Sequence, residues 1–128
     1  MCIRDSLGYT AHSGILVAVG NIYKDLAATH HLDRIFAKSS PCDGYKLILT
    51  GHSLGGGAAV LLAFILRLKY PDLECWAFSP PGGLLNEVAA KESEKFVTAV
   101  VVGNDLIPRT SLEAIKKLQR FVIEYTNN

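Results

Sequence analysis

Residues 51–55 read Gly-His-Ser-Leu-Gly, which is the G-x-S-x-G spacing of a nucleophile elbow. In such an elbow a strand turns sharply into a helix and lifts the serine hydroxyl clear of the sheet, while the glycines let the two elements pass close together. The N–H groups at the start of the helix then point toward the carbonyl that the serine attacks. We therefore predict that Ser53 is a catalytic nucleophile and that the backbone N–H of Leu54 is one oxyanion-hole donor.

The sequence on either side of this motif supplies the two elements that an elbow joins. Residues 45–50 have the composition of a short strand, and the small and apolar residues after Ser53 predict a helix that ends before Tyr70-Pro71. A bare G-x-S-x-G string is common, and a glycine-rich turn with an incidental serine is the alternative interpretation. The strand before the motif and the helix after it favour catalysis.

A nucleophilic serine also needs a base to accept its proton and a carboxylate to orient that base. In sites built on this elbow the partners follow in the order serine, acid, histidine. Asp105 comes just after a β-branched run at residues 96–102, and we predict that it is the acid. The alternative is an Asn-Asp turn that only ends a strand.

The predicted triad lacks its base, because no histidine follows Asp105. All four histidines precede it: His12, His30, His31 and His52. We expect the side chain of His52 to point away from Ser53, and the pair at 30–31 to lie on an exposed helix. His12 is the remaining alternative, although a histidine before Ser-Gly more often ties a loop by hydrogen bonds. The catalytic histidine is therefore expected to be absent from the chain, as is the second oxyanion donor, which an earlier strand-to-helix loop would supply.

The elements that position these residues alternate between helix and strand. Apolar periodicity and turn residues predict, in order, a helix at 12–37, a strand at 45–50, a helix at 53–69, a strand at 74–78, a helix at 84–93, a strand at 96–102 and a last helix to about residue 125. Such alternation predicts an α/β fold, a parallel sheet with helical crossovers whose crevice lies at the carboxyl ends of the strands. Ser53 and Asp105 both fall at such ends, after two different strands.

Composition narrows the class of protein. The net charge is +1 and the sequence has no basic stripe, which argues against nucleic acid as a partner. The three cysteines, at positions 2, 42 and 75, lack metal-binding spacing and fit a reducing compartment, with Cys75 expected in a buried strand. We expect neither a metal nor another cofactor. The longest apolar stretch, residues 54–66, is too short to span a bilayer.

Several segments together resemble one family of hydrolases. Residues 51–56 (GHSLGG) with His12-Ser13-Gly14 upstream resemble the class 3, or fungal-type, lipases of the α/β-hydrolase fold. Three further segments are similar to the sn-1-specific diacylglycerol lipases: residues 78–85 (FSPPGGLL), 96–101 (FVTAVV) and 105–109 (DLIPR). The elbow is shared widely, whereas the Ser-Pro-Pro-Gly-Gly loop is much more selective. The resemblance covers most of residues 8–125.

This resemblance implies a function and a site. It implies hydrolysis of the sn-1 ester of diacylglycerol to monoacylglycerol and fatty acid, with Ser53 as nucleophile and Asp105 as acid, while the family's histidine has no counterpart here. It further implies that the substrate is diacylglycerol or a related lipid at a membrane surface. The parent protein is expected at the plasma membrane, with its catalytic part facing the cytoplasm.

The sequence also predicts the domain bounds and leaves two alternative functions open. Residues 1–7 are expected to be a non-native or unstructured leader, and residues 8–128 a partial lipase domain truncated at both ends. One alternative is another ester or thioester hydrolase, or an acyltransferase, using the same elbow. The other is a lipid-binding module that has the fold but no base. Protein partners are not indicated by the sequence.

Overall fold

The computed structural model describes residues 2–4 and 8–126. Its elements in chain order are β1 (Cys2–Arg4), β2 (Thr10–His12), α1 (Ser13–Thr29), α2 (His31–Ile35), β3 (Ile48–His52), α3 (Leu54–Leu66), β4 (Glu74–Phe78), α4 (Glu87–Ser93), β5 (Val97–Val100) and α5 (Leu112–Thr126). A 3₁₀ turn at Ile107–Arg109 precedes α5.

The sheet that carries the predicted site has three parallel strands. β3, β4 and β5 are neighbours in that order, so each crossover moves the chain across by one strand. Gly51 pairs with Ala77, which pairs in turn with Ala99. All three strands therefore end at the same edge, and the predicted α/β class with helical crossovers is confirmed. β1 and β2 form a separate antiparallel ribbon.

The core lies between this sheet and the layer formed by α1 and α3. Cys75 and Ala77 are fully buried on one face of β4, and Val19 of α1 is fully buried in the same hydrophobic cluster. The alternating residues Trp76 and Phe78 lie on the opposite face, where they are 40% and 41% exposed. One face of the sheet is thus packed against helices, while the other leaves these two aromatic side chains partly open to solvent.

The single helix predicted at 12–37 is two helices. His30 takes a left-handed conformation with a φ of 50° and separates α1 from α2. A left-handed residue ends an α-helix, and here the Arg34 guanidinium donates a 2.9 Å hydrogen bond to the C=O of Thr29 just before the break. The 3.6-residue periodicity continues across the break, so it could not reveal the interruption.

The strands and α3 differ from prediction mainly at their ends. The strand at 74–78 is confirmed, whereas β3 lies at 48–52, not at 45–50, because its pairing with β4 continues into the motif as far as His52. β5 spans four residues and ends at Val100, earlier than predicted. α3 ends at Leu66, three residues early, and is followed by a turn in which Leu68 and Lys69 donate to the carbonyls of the last helical turn.

The helix predicted from residue 84 begins at Glu87, because the residues before it pair with β2. The His12 N–H donates to the C=O of Leu84 at 3.0 Å, and Leu85 forms a bridge with Ala11. Asn86 then caps α4 by accepting a hydrogen bond from the Ala89 N–H at 3.1 Å. This contact fixes the loop after β4 against the start of α1.

Two further expectations concern the ends of the chain and the membrane. Residues 2–4 of the expected leader pair with β2, while residues 1 and 5–7 lie outside the described residues, and the leader assignment stays a prediction. None of the helices in the described part of the chain combines the length and the apolar character needed to cross a bilayer.

Candidate active site

Ser53 occupies a strained turn between β3 and α3. Its φ of 53° and ψ of −123° lie where side chains are rarely found, at a cost of about 1–3 kcal/mol. The conformation is held from both sides: the Ser53 N–H donates to the C=O of Phe78 at 2.9 Å, and the Ser53 C=O accepts from the N–H of Gly57 at 3.0 Å. This is the geometry that the G-x-S-x-G spacing predicts for a nucleophile elbow.

The glycines of the motif permit a close crossing of strand and helix. A Cβ on Gly51 would lie 2.2 Å from the C=O oxygen of Gly55, and one on Gly56 would lie 3.1 Å from the C=O oxygen of Gly51. Both contacts are to backbone, which cannot move aside as a side chain can. Gly51 is therefore required by sterics, since any larger residue would push β3 away from α3.

Leu54 is the first residue of α3, and its N–H belongs to the first turn. The first four N–H groups of an α-helix have no partner within the helix, and they carry the positive end of the helix dipole. Leu54 has that placement, next to Ser53 in the chain, and its side chain is 63% exposed. Its assignment as an oxyanion donor stays a prediction that this placement supports.

Asp105 lies in the turn that follows β5. Its N–H donates to the C=O of Val102 at 3.2 Å, and its Oδ1 accepts the N–H of Ile107 at 3.0 Å. Arg109 closes the turn, because its Nη2 donates to the C=O of Gly103 at 3.0 Å. The carboxylate is thus held by its own turn at the carboxyl edge of the sheet.

The pKa of Asp105 is lowered from its usual value of 3.8, so the carboxylate is favoured as the anion. The largest cause is a hydrogen bond from the Ser79 hydroxyl, and the second is the N–H of Ile107; the charges of Arg109 and His52 add smaller contributions, and partial burial opposes them. An ionised acid suits the orienting role in a triad, because it stabilises an imidazolium ion.

Ser79 is the site residue that sequence reasoning missed. It is the first residue after β4, takes a φ of 48° and donates its N–H to the C=O of Val100 at 2.8 Å. Its place after β4 matches that of Ser53 after β3. A serine in a loop does not by itself indicate a role in a site. Its position directly after the strand predicted at 74–78 could have indicated that Ser79 lies at the same sheet edge as Ser53 and Asp105.

The sheet brings Ser53 and Asp105 to one edge. β3 and β5 flank β4, and at the usual spacing of about 4.8 Å between strands their ends are about 10 Å apart. Ser53 directly follows β3, whereas Asp105 lies in the turn beyond the end of β5. The two residues therefore share the carboxyl edge of the sheet, which is the placement that a nucleophile and an acid of one triad require.

None of the four histidines is placed by the structure as that base. The two at positions 30 and 31 are exposed on the α1–α2 hairpin, as expected. His12 is exposed at the start of α1, with its ring beside Gly14. His52 is exposed too, and its charge acts on Asp105. This exposure follows from alternation along β3, which turns His52 to solvent.

An apolar cavity lies apart from these residues. It measures about 550 Å³, lies between α1, α3 and α4, and is lined by largely apolar side chains that include Leu61, Phe64 and Phe96. Neither Ser53 nor Asp105 lines it. Among the residues that the structure describes, no group of His, Cys, Asp and Glu side chains could hold a metal ion.

Comparison with known proteins places these features in a family. Residues 2–114 match the family lipase (class 3). The chain is 42% identical to human (Homo sapiens) diacylglycerol lipase-alpha over 118 residues, which is 91% of the chain and 11% of that protein. It is 41% identical to mouse (Mus musculus) diacylglycerol lipase-beta over 118 residues, which is 92% of the chain and 17% of that protein. The chain thus spans about a tenth to a sixth of the length of these relatives.

The similarity to one solved structure agrees with this family match. The chain superposes with a TM-score of 0.71 and 26% identity on a triacylglycerol lipase whose catalytic centre is a triad of the serine protease kind, over 90% of this chain and 45% of that one. The predicted resemblance is confirmed: with the elbow, the parallel sheet and the acid turn described above, the chain belongs to the class 3 lipase family.

Proposed function

We propose that this chain carries the nucleophile and the acid of a serine lipase that hydrolyses the sn-1 ester of diacylglycerol. The observation that carries the proposal is Ser53 in its strained elbow, two strands from an ionised Asp105 at the same edge of the sheet. The identity of 42% to a diacylglycerol lipase supports the choice of substrate class.

The proposed reaction proceeds by acyl transfer to Ser53. The Ser53 Oγ attacks the ester carbonyl while a histidine accepts its proton, and Asp105 orients that histidine and stabilises its charge. The Leu54 N–H donates to the oxyanion, an interaction typically worth about 3 kcal/mol of barrier. The histidine returns the proton to the departing monoacylglycerol, and water, activated in the same way, releases the fatty acid from the serine.

The base of this reaction is proposed to come from polypeptide outside the 128 residues. No histidine follows Asp105, and the four present are exposed, with no hydrogen bond from any of them to Ser53 or Asp105 among the described residues. The same outside sequence is proposed to provide the second oxyanion donor. We further propose that the parent protein meets its lipid at the plasma membrane, with this domain facing the cytoplasm.

The proposal is tested by Ser53→Ala in the full-length protein. Release of fatty acid is measured from diacylglycerol labelled in the sn-1 acyl chain, from the same lipid labelled at sn-2, and from a short soluble ester. We expect the sn-1 label to be released fastest and Ser53→Ala to abolish release. Ser93→Ala is the matched control, because its hydroxyl only bonds the C=O of Ala90 at the end of α4. Turnover retained by Ser53→Ala refutes the assignment.

The 128-residue chain provides a second test, of the missing base. Without a histidine beside it the Ser53 hydroxyl is a weak nucleophile, so a fluorophosphonate probe should label the isolated chain slowly. Rapid labelling that disappears in Ser53→Ala would show that the chain contains a base after all, and His12→Ala would then identify or exclude the remaining alternative.

A lipid-binding module without catalysis is the second candidate, since the absence of a histidine after Asp105 is what it predicts. It is distinguished by the full-length protein: a module of this kind binds diacylglycerol vesicles but releases no fatty acid, with or without Ser53.

A further inference from the structure

Ser79 lies on the strand between the nucleophile and the acid. We propose that Ser79 is a positioning residue, whose hydroxyl holds the Asp105 carboxylate in the orientation that the triad histidine requires. The inference rests on the proposed lipase function for its purpose, whereas the contact between the two side chains belongs to this chain alone.

The backbone of Ser79 is fixed at the required place. β4 is the central strand, and the first residue beyond it lies beside the end of β5, as the 2.8 Å hydrogen bond from the Ser79 N–H to the C=O of Val100 shows. Asp105 begins the turn beyond that same strand end, where its N–H is tied to Val102. Neighbouring strand ends therefore present a hydroxyl and a carboxylate to each other.

The backbone conformation of Ser79 is unfavourable for any residue that carries a side chain. A φ of 48° is unfavourable for a residue with a Cβ, and glycine adopts it without that cost. Glycine occurs four residues later, at Gly83, with a φ of 68°. Position 79 is thus a serine although its backbone is strained, and what the serine has that glycine lacks is a hydroxyl group.

The loop after β4 and the acid turn also pack as one unit. The Gly82 N–H donates to the C=O of Ile107 at 3.1 Å, and a Cβ on Gly82 would lie 2.5 Å from the C=O oxygens of Pro108 and Thr110. Backbones this close leave little freedom for one loop to move against the other. Ser79 therefore keeps its position relative to Asp105.

Two donors are enough to orient the carboxylate. Its Oδ1 accepts the Ile107 N–H, and the Ser79 hydroxyl is the second donor. A carboxylate has about four acceptor positions, so these bonds fix its plane and leave a lone pair free for the N–H of an imidazole. Removing the hydroxyl leaves one donor, about which the carboxylate can turn away from the histidine.

The direct test is an NMR titration of the Asp105 carboxyl carbon in the 128-residue chain. Ser79→Ala removes the hydroxyl and keeps the Cβ, while Ser79→Gly removes both and relieves the backbone. We expect the pKa of Asp105 to rise toward its usual value in both variants, since Arg109 and His52, the charged groups that act on it, are unchanged. Thr110→Ala is the control, because that hydroxyl bonds only the C=O of Leu106, at 2.8 Å in the same turn.

A purely conformational role for Ser79 makes the opposite prediction. Glycine would satisfy it, so an Asp105 pKa that stays low in Ser79→Gly overturns the inference. If Ser79→Ala does not fold, Ser79→Gly decides alone, because it relieves the φ of 48°. The titration needs no catalysis, so its result holds whether or not the full-length protein is a lipase.

The consequence for activity is tested separately in the full-length protein. We expect both Ser79 variants to lower kcat about tenfold with little change in KM, the effect of losing one charge-assisted hydrogen bond in the transition state. A raised pKa with unchanged kcat refutes the positioning role. Failure of the parental protein to hydrolyse diacylglycerol refutes the proposed function, and the titration still reports on the contact.

Discussion

Replacement of Gly51 by alanine tests the close crossing of β3 and α3 on which the elbow depends. The new Cβ would lie 2.2 Å from the C=O oxygen of Gly55, 2.5 Å from its carbonyl carbon and 2.8 Å from the backbone nitrogen of Gly56. All three distances are below the 3.0 Å that Cβ contacts respect. Because each obstacle is backbone, the strand and the helix must separate.

The magnitude follows from overpacking. Insertion of a methyl group into a packed site costs about 1–3 kcal/mol, and the upper end applies here since no side chain can rotate away. We therefore expect Gly51→Ala to lower the free energy of unfolding by about 3 kcal/mol. With a denaturant slope of about 1.5 kcal/mol per molar urea, the unfolding midpoint falls by about 2 M.

The measurement is urea unfolding followed by the fluorescence of Trp76, the one tryptophan in the sequence. Gly55→Ala is the matched control in the same motif, because a Cβ there meets nothing within 4 Å. Alanine is a better helix former than glycine, so this control should gain up to about 1 kcal/mol. Equal midpoints for the two variants would contradict the proposed crossing.

Three further experiments test the backbone strain at Ser53, the charge of Asp105 and the burial of Cys75. Ser53→Gly should raise the free energy of unfolding by about 1–3 kcal/mol over Ser53→Ala in the same urea assay, since glycine relieves the φ of 53°; equal stabilities would argue against strain. Asp105 has a lowered pKa in the folded state, so it stabilises the fold above about pH 4 and this contribution is lost as the pH falls through the lowered value. Asp105→Asn should make stability less pH-dependent there, and an unchanged pH profile would contradict this. Burial raises the pKa of Cys75 to about 11, so iodoacetamide at pH 8 should alkylate the half-buried Cys42 before Cys75, whereas in urea these two thiols should react alike.

The sequence allowed the fold to be predicted, and it allowed Ser53 and Asp105 to be placed after two strands of the sheet, because both depend on local chemistry. Alternating helix and strand patterns indicate parallel crossovers, and glycine at Gly51 and Gly56 is what a close crossing of strand and helix requires. Asp105 was predicted from a β-branched strand followed by a turn. The ends of two of the three strands were wrong by one to three residues, because pairing with a neighbour, as at His52, decides where a strand stops.

The contact between Ser79 and Asp105 could not be predicted in this way. It depends on which strands are neighbours and on the register between them, neither of which has a local signature. The start of α4 has the same origin, since it depends on hydrogen bonds between residues 84–86 and β2. Local patterns therefore placed the individual residues on their elements, whereas tertiary contacts decided which of those residues are neighbours.

The carboxyl edge of the sheet shows where this chain tolerates strain. After β3 and β4 the first residue has a positive φ and is a serine, Ser53 and then Ser79. After β5 the chain again takes a positive φ, of 53°, but there the residue is Gly103. A positive φ thus occurs after all three strands, at a glycine after β5 and at a serine after β3 and β4. His30 and Ser39 also take a positive φ, so strain alone does not identify a functional residue. Strain at the carboxyl edge of the sheet, beside the acid turn, is the combination that supports the roles proposed for Ser53 and Ser79.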